Sequence, residues 1–176
     1  MNRVRRFSFQ SRFEAKFTRK TLKFPPKVMI WGCMSSKKLG NVHICTGSMN
    51  ANGYIDVLRE NLLPAIDKFE ISSPIFMDDS APCHRAKKVN EWKTENGIIQ
   101  LDWPGNSPDL NPIENLWSHL KQKIRKKPNS TLNALISNIF SVWENDICKS
   151  YLQNLIHSMP KRIKMVIKAK GDSIKY

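Results

Sequence analysis

Two acidic stretches constrain this chain more than any other feature. The first, Phe76-Met77-Asp78-Asp79-Ser80-Ala81-Pro82-Cys83-His84, is a short apolar run ending in adjacent carboxylates. The second, Trp103-Pro104-Gly105-Asn106-Ser107-Pro108-Asp109-Leu110-Asn111, is a proline-punctuated loop that leads into Pro112-Ile113-Glu114-Asn115-Leu116-Trp117. Between them the pattern predicts a helix over 81–95 and a short β-branched strand over 98–101. A carboxylate at the C-terminal end of a strand and another at the start of a later helix can converge on a divalent cation, because Mg²⁺ takes carboxylate oxygens together with water and substrate phosphates. Open α/β sheets place their chemistry at that end of the strands.

Each of these residues also has a plainer job open to it. Asp79 or Ser80 can cap the helix that follows, and Asp78 points to the opposite face if the strand pleat continues. Asn111, Pro112 and Glu114 occupy the N-cap, first and third positions of a capping box, so Glu114 can reach back to the Asn111 amide. Position alone leaves both roles open for Asp79 and for Glu114. His84 is either a packing group or a support for a metal site, and His119 reads as a helix-surface residue.

The string from Pro108 to Trp117 resembles the signature of Tc-one/mariner cut-and-paste transposases, and 34 residues separate Asp79 from Glu114, the spacing of the Tc-one branch. The stretch Val28-Met29-Ile30-Trp31-Gly32-Cys33-Met34-Ser35 and the tail Ser158-Met159-Pro160-Lys161-Arg162 resemble the same family, so the likeness runs from about Phe7 to Tyr176. It implies an α/β, RNase H-like catalytic domain over 7–127, with a mixed five-stranded sheet flanked by helices, and a C-terminal helical extension over 128–176. It also implies metal-dependent cleavage and strand transfer of DNA. Asp79 and Glu114 would be catalytic and would ligate Mg²⁺ or Mn²⁺, with His84 and Asn111 in support. Transposon ends and target DNA would be the partners, the nucleus the compartment, and a homodimer is compatible with the family. No small-molecule cofactor is implied.

At the first carboxylate position the chain departs from the family. Where the family reads Phe-Ser-Asp-Glu-Ser-Arg-Phe, this sequence has Phe7-Ser8-Phe9-Gln10-Ser11-Arg12-Phe13. Phe9 replaces the first metal-binding Asp, so metal binding is expected to be weakened, with apolar bulk where that Asp would reach the ions. The upstream helix-turn-helix region of full-length relatives is also not in this sequence. A catalytically dead or recruited DNA-binding remnant is therefore the alternative to an active transposase domain. A nuclease acting on RNA–DNA hybrids is a further one, disfavoured by the transposase-like string.

Along the rest of the chain, residues 7–17 alternate with period two and predict a strand or hairpin, 28–35 and 41–46 predict two buried strands, and Asn50 caps a helix through Ile66 that Pro64 is expected to kink. A central strand is expected over 74–77. Helical spacing recurs from Leu132 to Trp143 and from Tyr151 to Ile156, and the end of the basic tail from Pro160 to Tyr176 is expected to fray.

With 29 basic against 15 acidic residues the net charge is +14, which calls for a polyanionic partner. Lys121, Lys123, Arg125, Lys126 and Lys127 at one helix end, and Lys161 and Arg162 in the tail, are the expected phosphate contacts. Four cysteines without a paired spacing argue against zinc or a disulfide framework and for reduced thiols in an intracellular compartment. No apolar run approaches the ~20 residues that span a bilayer, and no membrane role is expected.

Overall fold

The structure, a computed structural model, describes Phe9, residues 25–105 and residues 107–175. Strands β1 (Met29–Met34) and β2 (Leu39–Cys45) form an antiparallel hairpin in which Trp31 faces His43 and Gly32 faces Val42. Ser35 closes the connection: its hydroxyl accepts from the Lys37 and Lys38 amides at 3.2 and 3.1 Å. Strands β3 (Ile75–Phe76) and β4 (Ile99–Gln100) pair in parallel, linked through helix α3 (Lys87–Glu95). The fifth predicted strand, over 7–17, lies outside the described residues except for Phe9. That one residue occupies a turn and is 83% exposed.

Asn50 caps the first long helix as the sequence predicts, its side chain accepting from the Gly53 amide at 2.9 Å. The helix is not broken by Pro64. It runs as α1 (Ala51–Val57), a π-helical turn (Leu58–Leu62) and α2 (Leu63–Phe69), ending in a left-handed Glu70. Proline has no amide to give to the carbonyl four residues back. The turn widens instead, with the Leu63 amide bonded to the Leu58 carbonyl.

After the second acidic stretch come a 3₁₀ turn (Pro108–Leu110) and helices α4 (Pro112–Ile124), α5 (Leu132–Asn145), α6 (Lys149–His157) and α7 (Met159–Lys168). The last of these carries the first part of the basic tail. Pro160 sits in its first turn, where no amide is needed. The segment beyond is held too, by a bond from the Ile174 amide to Asp109 Oδ2 at 2.8 Å.

Apolar residues gather on both sides of the β1–β2 hairpin. On one side Cys33 joins Tyr54, Ile55, Leu58, Leu62 and Val89 from α1 to α3. On the other, Val42 joins Leu116 and Leu120 of α4, Val142 and Trp143 of α5, and Leu152 of α6. The helices after residue 128 thus share one core with α4 and β2. Trp143 donates from Nε1 to the Gly40 carbonyl at 2.8 Å and stacks on Trp117, ring centroids 5.4 Å apart. Gly32 makes that approach possible: a Cβ there would lie 2.8 Å from the Trp143 ring and 3.0 Å from that of Trp117. Among the described residues no helix is long and apolar enough to cross a membrane.

Candidate metal centre and nucleic-acid surface

The two adjacent aspartates that follow β3 face opposite ways. Asp78 turns inward, where its Oδ2 accepts from the Tyr54 hydroxyl at 2.9 Å and from Lys93 Nζ at 2.6 Å, and its Oδ1 from Gln100 Nε2 at 2.9 Å. Lys93 is itself 2% exposed, lies over the Phe76 and Tyr54 rings, and gives a further bond to Gln100 Oε1 at 3.1 Å. A buried charge is tolerable only when paired and hydrogen-bonded. Both carboxylate oxygens of Asp78 are therefore committed. Burial, followed by the neighbouring Asp78 charge, pushes the Tyr54 phenol above its ordinary range.

Asp79 points out, its side chain 58% exposed. Its Oδ1 accepts from the Ala81 amide at 3.0 Å and lies 2.6 Å from His84 Nδ1, without the alignment of a hydrogen bond. His84 stacks on Tyr54, ring centroids 3.9 Å apart. The aspartates are thus joined through two rings, Tyr54 on Asp78 and His84 on Asp79. Among the described residues no hydrogen bond reaches Asp79 Oδ2. The helix expected from Ala81 begins later, at Lys87, after a turn. Pro82 disfavours the helical conformation for Ala81, and the Asp79 side chain satisfies the Ala81 amide in a local turn instead.

The second acidic stretch folds back onto the first. Trp103 Nε1 donates to the Asp78 main-chain carbonyl at 3.0 Å, and Gly105 packs so closely on Ser80 that a Cβ would lie 2.6 Å from its hydroxyl oxygen. Further on, buried Asn111 caps α4, its side chain accepting from the Ile113 amide at 3.3 Å. The capping box does not close. The Asn111 amide is bonded to the Pro108 carbonyl at 3.2 Å, and Glu114 stands exposed in the first turn of α4. A carboxylate there is favoured by the helix dipole, yet the hydrogen bond that would have explained it structurally has another partner.

The expected phosphate contacts divide. Lys121, Arg125, Lys126 and Lys161 are exposed; Lys123 and Lys127 are half-buried, and Lys127 donates to Ser141 Oγ at 3.2 Å. Arg162 does not belong with them. It is fully buried, with Nε on Ser158 Oγ and Nη1 on the Asp109 carbonyl, each at 2.8 Å, so its charge is not offered to the surface. Nor is His119 a free surface residue: it is half-buried against Tyr151, ring centroids 4.7 Å apart.

The bonds that Tyr54, Lys93, Gln100 and Trp103 make to Asp78 were not foreseen from the sequence. Lys93 left a trace there, since it falls four residues after Val89 on the stripe that faces the core, a place where a lysine needs a buried partner.

Asp79 and Glu114 are both exposed carboxylates, the kind of oxygen group that Mg²⁺ or Mn²⁺ accepts when it keeps several waters. Among the described residues no group of three or more His, Cys, Asp and Glu side chains gathers around one point.

Residues 11–136 match the DDE superfamily endonuclease family. The chain belongs to that family. The Tcb2 transposase of Caenorhabditis briggsae is 33% identical over 166 residues, covering 94% of this chain and 60% of the relative. The Tc1 transposase of Caenorhabditis elegans is 32% identical over 167 residues, covering 94% and 61%. The chain thus spans about three-fifths of the length of these curated relatives. Among solved structures, the catalytic domain of Mos1 mariner transposase superposes with a TM-score of 0.77 at 18% identity, over 88% of this chain and 80% of that one. The Mos1 mariner paired end complex with Mn superposes with a TM-score of 0.82 at 19% identity, over 98% and 52%. The fold of this DDE endonuclease family member is accordingly RNase H-like and mixed α/β, although among the described residues the strands form two two-stranded sheets in place of the one five-stranded sheet expected.

Proposed function

We propose that the chain is the catalytic part of a Tc-one/mariner-like transposase, with residues 7–127 as the catalytic domain and 128–176 as a helical extension packed on it. In this reading it acts on DNA in the nucleus, at transposon ends and target sites. The observation that carries the reading is the bond from Trp103 to the Asp78 carbonyl, which holds the second acidic stretch against the first. Asp79 Oδ2 and Glu114 would hold a divalent cation. Such a cation supplies Lewis-acid stabilisation of the phosphodiester and activation of the attacking oxygen. The protein's part is to orient these two carboxylates: Asp79 through His84 and the Ala81 amide, Glu114 through the Asn111 cap. Exposed Lys121, Arg125, Lys126 and Lys161 would track the DNA backbone.

A second reading is favoured by Phe9. The family's first carboxylate is replaced by a side chain with no oxygen, so two-metal clamping of nucleophile and leaving group loses one of its supports. The chain is then a DNA-binding domain with impaired or absent chemistry. Nicking of supercoiled plasmid separates the two. If the unmodified chain nicks in Mg²⁺ and Glu114→Gln abolishes it, the impaired reading is wrong; nicking that appears only with Phe9→Asp supports it.

A further inference from the structure

The tail stretch from Ser158 to Arg162 is basic, and a surface role suits Lys161, but Arg162 has no access to a surface. It links two distant elements. At one end its Nε is fixed by Ser158 Oγ, which donates in turn to the Leu155 carbonyl at 2.5 Å, so the guanidinium is anchored to the end of α6. At the other, Nη1 reaches the main-chain carbonyl of Asp109 at 2.8 Å. A second bond arrives independently: the Ile174 amide donates to Asp109 Oδ2, also at 2.8 Å. Main chain and side chain of one residue are thus both gripped by the C-terminal segment. A third bond, from the Tyr151 hydroxyl to the Asn115 carbonyl at 3.2 Å, holds the first turn of α4 from the same side.

Asp109 sits in the 3₁₀ turn immediately before the Asn111 cap, in the loop that delivers Glu114. That loop contains two prolines and a glycine between Trp103 and Pro112, a composition with little regular hydrogen bonding of its own. Burying a guanidinium is costly unless its donors are met, and its rigid fork fixes the groups it bonds more tightly than a lysine would. We infer that the segment from Ser158 to Ile174 is a clamp that sets the position of the second acidic stretch, with Arg162 and Asp109 as positioning residues for Glu114 and not as contacts to DNA. The functional half of this inference rests on the reading of Glu114 as a metal ligand; the clamp itself does not.

Amide hydrogen exchange on the full chain tests it. Asp109→Ala removes the acceptor for the Ile174 amide without touching α5. Exchange over residues 107–114 should then rise about tenfold, the scale expected for loss of one hydrogen bond from a local opening, while exchange in α5 stays unchanged. Asp109→Asn keeps an acceptor oxygen and should restore protection. Arg162→Lys, which keeps the charge but loses the fork, should loosen the same residues. If Arg162→Lys does not fold, the Asp109 pair still decides. Unchanged exchange over 107–114 in Asp109→Ala, or an equal rise across α5, overturns the clamp. In a Phe9→Asp background, Mn²⁺ affinity followed by paramagnetic resonance should fall with Asp109→Ala. Loosening without any fall in affinity keeps the clamp and overturns Glu114 as its functional target.

Discussion

Lys93 Nζ lies 2.6 Å from Asp78 Oδ2, and both side chains are almost wholly shielded from water. This pair fixes the residue immediately before the candidate ligand Asp79. Two neighbouring carboxylates therefore divide the work, one satisfied by protein and the other left open to solvent. Breaking the pair from one side strands a buried charge, so Lys93→Met should destabilise the fold by about 3–5 kcal/mol. Combining it with Asp78→Asn, which can still accept from Tyr54, should recover a large part of that loss. Urea midpoints of the two single variants and the double variant check this. Additive losses would show that the two groups do not act as a pair.

The cysteines should respond to alkali and to thiol reagents in opposite ways. Burial, offset in small part by Lys68, pushes the Cys33 thiol up to about 12 from an ordinary 9.0, whereas Cys148 is exposed and held below 9.0, chiefly by its hydrogen bond with Ser150. Because the folded value of Cys33 is raised, the stability it contributes is complete below about pH 9 and is lost as pH climbs toward 12. Tyr54, raised in the same direction, adds to that alkaline loss. We expect Cys148 to alkylate first at pH 8 and Cys33 to react only on unfolding. Peptide mapping after a short iodoacetamide pulse measures this; equal labelling of both would contradict the burial argument.

Binding to duplex DNA should fall steeply with salt. For exposed Lys121 and Lys126, each replacement by Ala should lower the slope of log affinity against log salt by about one when that lysine meets a phosphate. Arg162 should behave differently, since it is buried. Its replacement should act through folding or loop order rather than through the slope. A filter-binding series at several salt concentrations distinguishes these outcomes, and a slope unaffected by the lysines would remove the α4 end from the DNA surface.

How much of this was legible in the sequence depended on whether the interaction is local. Asn50 and Asn111 as caps, the hairpin over 29–45 and helices α4 to α6 follow from turn chemistry and period, and the structure has them. Pro64 marked the helix for a kink or a break, and the chain carries on past it through a widened turn whose Leu58 and Leu62 pack into the core. Glu114 carried the spacing of a capping box, but the Asn111 amide had a competing acceptor in Pro108 that spacing does not reveal. Arg162 was misplaced for the same kind of reason. Its partner Asp109 is far away in sequence, and nothing in a run of basic residues marks which one turns inward.

The central claim, that Asp79 and Glu114 form a cation site weakened by Phe9, is tested most directly by calorimetric titration of Mn²⁺ into the unmodified chain, Phe9→Asp, and Phe9→Asp combined with Glu114→Gln. The account expects weak binding to the first, tighter binding to the second, and loss of that gain in the third. Identical affinity in all three would contradict it.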